Sequence, residues 1–342
     1  LHGGLSLTAL SLCNLSEVGI HLHAKQVTVL RTGENNTMGY ILETQAITKR
    51  YGSKTAVRDV DMHIPEGQIY GLIGPNGAGK TTIMRMISGL ASPTQGDYTL
   101  FGKSGDERGR MLRQVGVLIE EPGLYPKLSA QENLKIKCIG LGVDPAATVP
   151  ELLEGVGLGG VDPKKAAGSF SLGMRQRLGI AMALVGEPKL LILDEPINGL
   201  DPQGIADVRE ILVKMRDEKG ITILISSHIL EELDKMADCY GVIYQGSLLD
   251  EFTAEQLHLR SGRYVKIRTE DTDGALEVLR GMGMEAQRME EKDCIRVSGN
   301  TDRTAEMAKA LVNAGIPLQE IFLRTISLED YYLNMTGGIH HE

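Results

Sequence analysis

Eight consecutive residues, Gly74-Pro75-Asn76-Gly77-Ala78-Gly79-Lys80-Thr81, carry the pattern G-x-x-x-x-G-K-[ST]. Glycines at these positions let the backbone wrap closely around a phosphate with no Cβ in the way. The exposed N–H groups of such a loop, and the N-terminus of the helix it opens, favour an anion. Lys80 brings a cation to β- and γ-phosphates, and Thr81 offers a hydroxyl to Mg²⁺. Thr82 completes the stretch read as nucleotide-contacting. Further on, the apolar run 190–193 ends in two carboxylates, Asp194 and Glu195. Ligands of α/β sheets bind at the C-terminal ends of strands. Asp194 therefore reads as the acid that holds Mg²⁺ through its shell, and Glu195 as the group that orients and deprotonates a water in line with the γ-phosphate.

Those groups need a strand–loop–helix unit and a buried strand beside it. Apolar runs and alternation predict strands over 40–47, 57–64, 69–73, 190–193 and 221–226. Pro65-Glu66-Gly67-Gln68 reads as a turn. Helical patterns cover 80–90, 129–139, 171–185, 207–219 and 229–237. Buried strands alternating with helices mean a parallel-rich α/β core. The pattern changes after about Leu259. Strand 264–267, helix 274–279, strands 286–290 and 294–297, helix 305–314 and strand 318–323 follow in the order βαββαβ, a ferredoxin-like arrangement. A last helix over 327–333 has Ser327 as N-cap, with Asp330 three residues on.

With these motifs in this order, the chain resembles the ATP-binding subunits of ABC transporters over about residues 40–258. Phe170-Ser171-Leu172-Gly173-Met174-Arg175-Gln176-Arg177 resembles the signature segment of that family, departing from its usual L-S-G-G-Q at Phe170, Leu172 and Met174. The resemblance implies that Ser171 and Gly173 reach the γ-phosphate of ATP bound to the opposite subunit of a head-to-tail dimer. It implies a D-loop at Asn198-Gly199-Leu200-Asp201, with Asp201 coupling the two sites. It implies a switch histidine, His228, that hydrogen-bonds the γ-phosphate, and an adenine-stacking aromatic, Tyr51. Val57 is expected on the ribose side. In Val115-Gly116-Val117-Leu118-Ile119-Glu120-Glu121-Pro122 the family usually has Gln where Glu120 stands. Glu there resembles bacitracin- and lantibiotic-type exporters, as do Gly123-Leu124-Tyr125-Pro126-Lys127-Leu128-Ser129 and the end Tyr331-Tyr332-Leu333-Asn334-Met335-Thr336-Gly337-Gly338. The resemblance places Glu120 at the metal, near Asp194 and Glu195.

The implied fold is α/β: a P-loop NTPase core of the ABC ATPase kind over 38–258, with a helical subdomain at about 124–189 and an antiparallel sheet edge, then a small α+β C-terminal domain over 259–342. The implied cofactors are ATP and Mg²⁺. The implied partners are an integral membrane permease and a second ATPase subunit, which would hold the chain at the cytoplasmic face of the membrane. Two other readings stay open here: a soluble ABC ATPase acting on ribosomes or nucleic acid, and an ATP-dependent sensor without transport.

Composition narrows the field. In 342 residues, 36 Lys and Arg stand against 45 Asp and Glu, a net charge of −9, so nucleic acid is not an expected partner. The four cysteines, Cys13, Cys138, Cys239 and Cys294, form no C-x-x-C pair and read as reduced thiols. The first 37 residues read as a disordered tail or translated upstream sequence ahead of Met38, and 5–15 makes a poor signal peptide. His21 with His23, and His340 with His341, are not read as metal sites.

Overall fold

A computed structural model describes residues 39–260, 263–289, 291–325 and 327–336. The expectations for residues 1–37, Met38, Cys13, Gly337, Gly338 and both terminal His pairs lie outside the described residues. In chain order the elements are β1 (Tyr40–Tyr51), β2 (Lys54–Val60), β3 (His63–Pro65), β4 (Ile69–Ile73), α1 (Lys80–Ile87), β5 (Gln95–Leu100), α2 (Gly105–Met111), β6 (Val115–Leu118), α3 (Ala130–Leu141), α4 (Pro145–Gly155), α5 (Leu172–Leu184), β7 (Leu190–Asp194), α6 (Pro202–Lys219), β8 (Thr222–Ser227), α7 (Leu230–Asp234), β9 (Cys239–Tyr244) and β10 (Ser247–Thr253). There follow α8 (Ala254–Arg260), β11 (Arg263–Thr269), α9 (Thr272–Gly281), β12 (Glu285–Arg288), β13 (Cys294–Ser298), α10 (Thr304–Asn313), β14 (Leu318–Thr325) and α11 (Leu328–Thr336).

The central sheet has six strands in the order β10-β9-β4-β8-β7-β6. All its neighbours are parallel except the β9–β10 hairpin. Every residue of β4, β7 and β8 is buried, which is what a strand covered on both faces requires. These three strands end side by side, with Ile73 opposite Ser227 and Asp194 opposite Ser226, so the chemistry-bearing residues share one edge.

A separate antiparallel sheet, β2-β1-β3 with β5 on β1, flanks the core. The strand expected over 57–64 is broken in two. Asp59 takes a left-handed φ of 46°, and the Asp61 carboxylate accepts from the Ala46 N–H at 2.6 Å, so β2 and β3 meet different stretches of β1. Helix α6 starts earlier than its apolar period implied, because Asp201 caps it and Pro202 opens it. Between β6 and β7, helices α3, α4 and α5 pack on one another. Ser129 and Glu132 form a full capping box on α3.

Beyond α8, the third sheet runs β12-β13-β11-β14, all antiparallel. Val265, Ile267 and Ile295 of its strands pack with Ala275 and Leu279 of α9 and Leu311 of α10 in one apolar cluster. Among the described residues no helix is long and apolar enough to cross a membrane.

Candidate functional site

The loop from Gly74 to Lys80 joins buried β4 to α1, whose apolar face (Ile83, Met84, Met86, Ile87) anchors it to the core. Two of its glycines are sterically required. A Cβ on Gly74 would strike the backbone carbonyl of Ile243, and one on Gly79 would lie 2.8 Å from the carbonyl of Ala56. Gly79, the N-cap of α1, also has a φ of 113°, which L side chains rarely adopt. The loop is braced by Ala78 N–H donating to Pro75 O at 3.1 Å and Gly246 N–H donating to Ala78 O at 2.9 Å. Lys80 Nζ donates back to Gly74 O at 2.6 Å and lies 3.1 Å from Glu195 Oε1, with both side chains largely buried.

Asp194 ends β7, 7% exposed, and two hydroxyls hold its carboxylate. Thr81 Oγ1 donates to Oδ2 at 2.7 Å and Ser226 Oγ donates to Oδ1 at 2.6 Å. The same Ser226 oxygen accepts from the Glu195 N–H at 2.9 Å. Glu195 has a left-handed φ of 49°, a strained backbone of the kind that collects at functional sites. Its Oε2 lies 2.8 Å from His228 Nδ1, while its buried Oε1 is ion-paired with Lys80. Lys80, Thr81, Asp194, Glu195 and His228 are thus joined by a continuous set of contacts, drawn from β4–α1, β7 and the end of β8.

A cleft of about 460 Å³ runs along the loop, lined by Pro75, Asn76, Gly77, Gly79, Lys80, Thr81, Thr82 and Glu195. Tyr51, 49% exposed, lines its far end with Lys54, Thr55 and Ala56. An exposed ring at the rim offers a flat face to a base. Val57 differs from expectation. It is fully buried in the core, because the β2 pleat turns it inward against Gly79, and Thr55 and Ala56 meet the cleft instead. Ser171 caps α5, accepting from Met174 N–H at 3.2 Å. Gly173 lies under Leu200 and Gly204. Asp201 caps α6 through Gly204 N–H at 3.0 Å. Within one chain these three residues do not line the cleft. Glu120 has a φ of 64°, and its exposed carboxylate is paired with Arg85 of α1 rather than joined to Asp194 and Glu195. Among the described residues no three His, Cys, Asp or Glu side chains come together as a metal cluster.

Ser226 was missed by reasoning from the sequence, although it stands two residues before His228 in a buried strand, where a polar residue needs a partner. Gln245 and Gly246, which close the cleft from the β9–β10 turn, carried no sequence signal of their own.

The site suits a magnesium nucleotide. Thr81 and Asp194 are hard oxygen donors held together at 2.7 Å, the Lys80 ammonium stands beside the loop, and a Cβ at Gly74 or Gly79 would collide with the backbone carbonyls that shape it.

Comparison with known proteins agrees. The sequence profile of the family described as ABC transporter matches residues 57–198. The chain is 40% identical over 303 residues to the bacitracin transport ATP-binding protein BcrA of Bacillus licheniformis, covering 88% of this chain and 99% of that one. It is 50% identical over 211 residues to the lantibiotic transport ATP-binding protein SrtF of Streptococcus pyogenes, covering 62% of this chain and 90% of that one. Among solved structures it is similar to cbiO1 of Clostridium perfringens, part of an ABC transporter complex, with a TM-score of 0.59 at 25% identity over 71% of this chain and 96% of that one. An extended match to relatives of this length, over a site with this geometry, carries one conclusion: the chain belongs to the ABC transporter family, as an ATP-binding and ATP-hydrolysing subunit.

Proposed function

We propose that this subunit powers a separate membrane permease that exports a peptide antibiotic or similar amphiphile, for resistance or self-immunity. The observation that carries the ATPase half is the joined set Lys80–Glu195–His228 beside Thr81–Asp194–Ser226. In this reading the loop amides and Lys80 hold the phosphates, and Tyr51 stacks on adenine. Thr81 and Asp194 hold Mg²⁺, with Glu120 as a further acid reached by release from Arg85. The metal, when bound, neutralises charge on the β- and γ-phosphate oxygens. Glu195 accepts a proton from the attacking water as its oxygen bonds to the γ-phosphorus. The bond from that phosphorus to the β,γ-bridging oxygen breaks, and ADP leaves. His228, held by Glu195, hydrogen-bonds the γ-phosphate. The chain contributes mainly positioning and electrostatics.

Ser171, Gly173 and Asp201 serve the site of a second ATPase subunit, which accounts for their absence from their own cleft. The ATP-binding domain spans about 38–258 and a C-terminal domain about 259–342. The permease half is supported by the relatives' roles and by an exposed apolar groove just beyond Glu120. Tyr125, Ile136 and Leu141 line it, on the segment leading into α3 and on α3 itself. Permease binding would hold the chain at the cytoplasmic face of the membrane.

The test is capture in the native cell. Glu195→Gln with ATP should hold the closed state and retain its partner. Co-purification of a polytopic membrane protein supports the reading. Ribosomes or nucleic acid in its place overturn it.

A further inference from the structure

Helix α11 follows β14, an edge strand of the third sheet, yet it packs on the helix that leaves His228. Leu328 is 1% exposed and sits in the same core cluster as Leu233 of α7 and Phe252 of β10. The ring of Tyr331 meets Phe252 edge-on at 4.8 Å, and its hydroxyl donates to Asp250 Oδ2 at 2.9 Å. The start of α11 is fixed locally. Ser327 Oγ accepts from Asp330 N–H at 3.1 Å, and Ser327 N–H donates to Asp330 Oδ2 at 2.9 Å.

Helix α7, by contrast, has little internal structure, and besides α11 it is tied by Arg209 of α6, which donates to Glu232 at 2.6 Å. It is five residues long and has no side-chain cap at Ile229. A helix this short has no stability of its own and takes its position from what packs on it. It also begins only two residues after His228, so its position sets the direction in which the His228 backbone leaves β8. Helices α7 and α11 are in direct contact. A cavity of about 630 Å³ joins the same parts, with Gly74–Ala78 and His228 on one side and Glu329, Tyr332 and Leu333 of α11 on the other.

We propose that α11 is a positioning element for His228. Packed on α7, it holds the short segment 227–229 in place and thereby ties the C-terminal domain to the hydrolytic step. The inference rests on the role given to His228 above. Coupling of this kind travels through packed side chains and needs no contact between α11 and ATP. It acts on turnover more than on affinity, because ATP is gripped by the loop and Tyr51, whereas His228 must be placed to within a fraction of an ångström.

The test is a double-mutant cycle on the full chain, reading kcat, KM for ATP and thermal midpoint. His228→Ala alone should lower kcat about 100-fold or more; an unchanged kcat refutes the role of His228 itself. With that drop established, Leu328→Ala should lower kcat about tenfold and move KM by less than about twofold, since misplacement of a reacting group by about 1 Å is worth up to about 100-fold. Leu328→Met should restore kcat. In the His228→Ala background, Leu328→Ala should change kcat by less than about twofold, the non-additivity of residues that act as one unit. The same tenfold loss in both backgrounds, or no loss with His228 present, overturns the proposal. If Leu328→Ala does not fold, Tyr332→Ala at the half-buried edge of the contact carries the same cycle, with the same results for and against.

Discussion

Ser226→Ala removes one hydroxyl that serves both acids of the site at once. Its oxygen donates to Asp194 at 2.6 Å and accepts from the backbone of Glu195 at 2.9 Å, and the residue is fully buried. The first bond goes to a carboxylate and is worth about 1.5–3 kcal/mol; leaving the Glu195 N–H unpaired costs a further ~1–3 kcal/mol. Asp194 keeps its bond from Thr81, and a small cavity is left behind, so the net loss of stability should be about 3 kcal/mol. In a chain of 342 residues that is a drop of roughly 4–5 °C in the melting midpoint. Function should suffer separately. Glu195 sits in a strained left-handed backbone, and the lost bond is one of the contacts that hold it there. Releasing it should lower kcat about tenfold or more, while ATP affinity measured without Mg²⁺ stays within about twofold. Urea unfolding, a fluorescent-nucleotide titration and a phosphate-release assay separate the three quantities. A stability loss below about 0.5 kcal/mol with unchanged kcat would mean that neither hydrogen bond matters.

Three further outcomes are expected. Lys80→Ala should weaken ATP binding at least about tenfold, since it removes the buried cation nearest the phosphate loop; equal affinity by calorimetry would contradict that placement. His63 should make stability depend on pH. Its hydrogen bond to Glu251 raises its pKa above 6.5, against the opposing effect of burial, so its contribution is full below pH 6.5 and is lost as pH rises through the higher folded-state value. Denaturation from about pH 6 to about pH 9 should show that decline in the natural chain and not in His63→Gln; parallel curves would rule it out. Gly79→Ala should destabilise the loop by about 2–4 kcal/mol, from a left-handed φ and a backbone collision together, and abolish nucleotide binding; a variant that binds ATP normally would show that the loop can relax.

Much of the site was legible because its chemistry sits in short contiguous runs. The phosphate loop announces itself in eight residues, and Asp194 with Glu195 follows four apolar residues that can only be a buried strand. His228 was found through resemblance, since a single histidine after a strand carries little information. What stayed hidden depends on pairing across the sheet. Ser226 becomes important only when β8 is laid beside β7, and Val57 is turned inward by the pleat of β2. Glu120 could not be placed from sequence because its ion-pair partner, Arg85, lies on a different element. In the fold, many periodic or apolar segments were readable, but the short apolar strands β6 and β9 were not among the strands expected. Strands β5 and β10 were not either, since polar residues such as Gln95, Asp97, Asp250 and Glu251 interrupt any alternation. The break between β2 and β3 was invisible for another reason: it follows from a backbone conformation at Asp59, which no apolar pattern records.

If Glu195 takes the proton from water, removing its basicity while keeping its shape must all but stop hydrolysis and spare binding. Single-turnover hydrolysis of ATP with saturating Glu195→Gln beside the natural chain tests this most directly. Glutamine keeps the size and can keep the contact to His228, but it cannot accept the proton. ATP should bind as tightly as before or tighter, because a negative charge 3.1 Å from Lys80 is gone, and hydrolysis should slow by about 100-fold to 10,000-fold. A variant that binds ATP and hydrolyses it at the natural rate would contradict the claim and require another base.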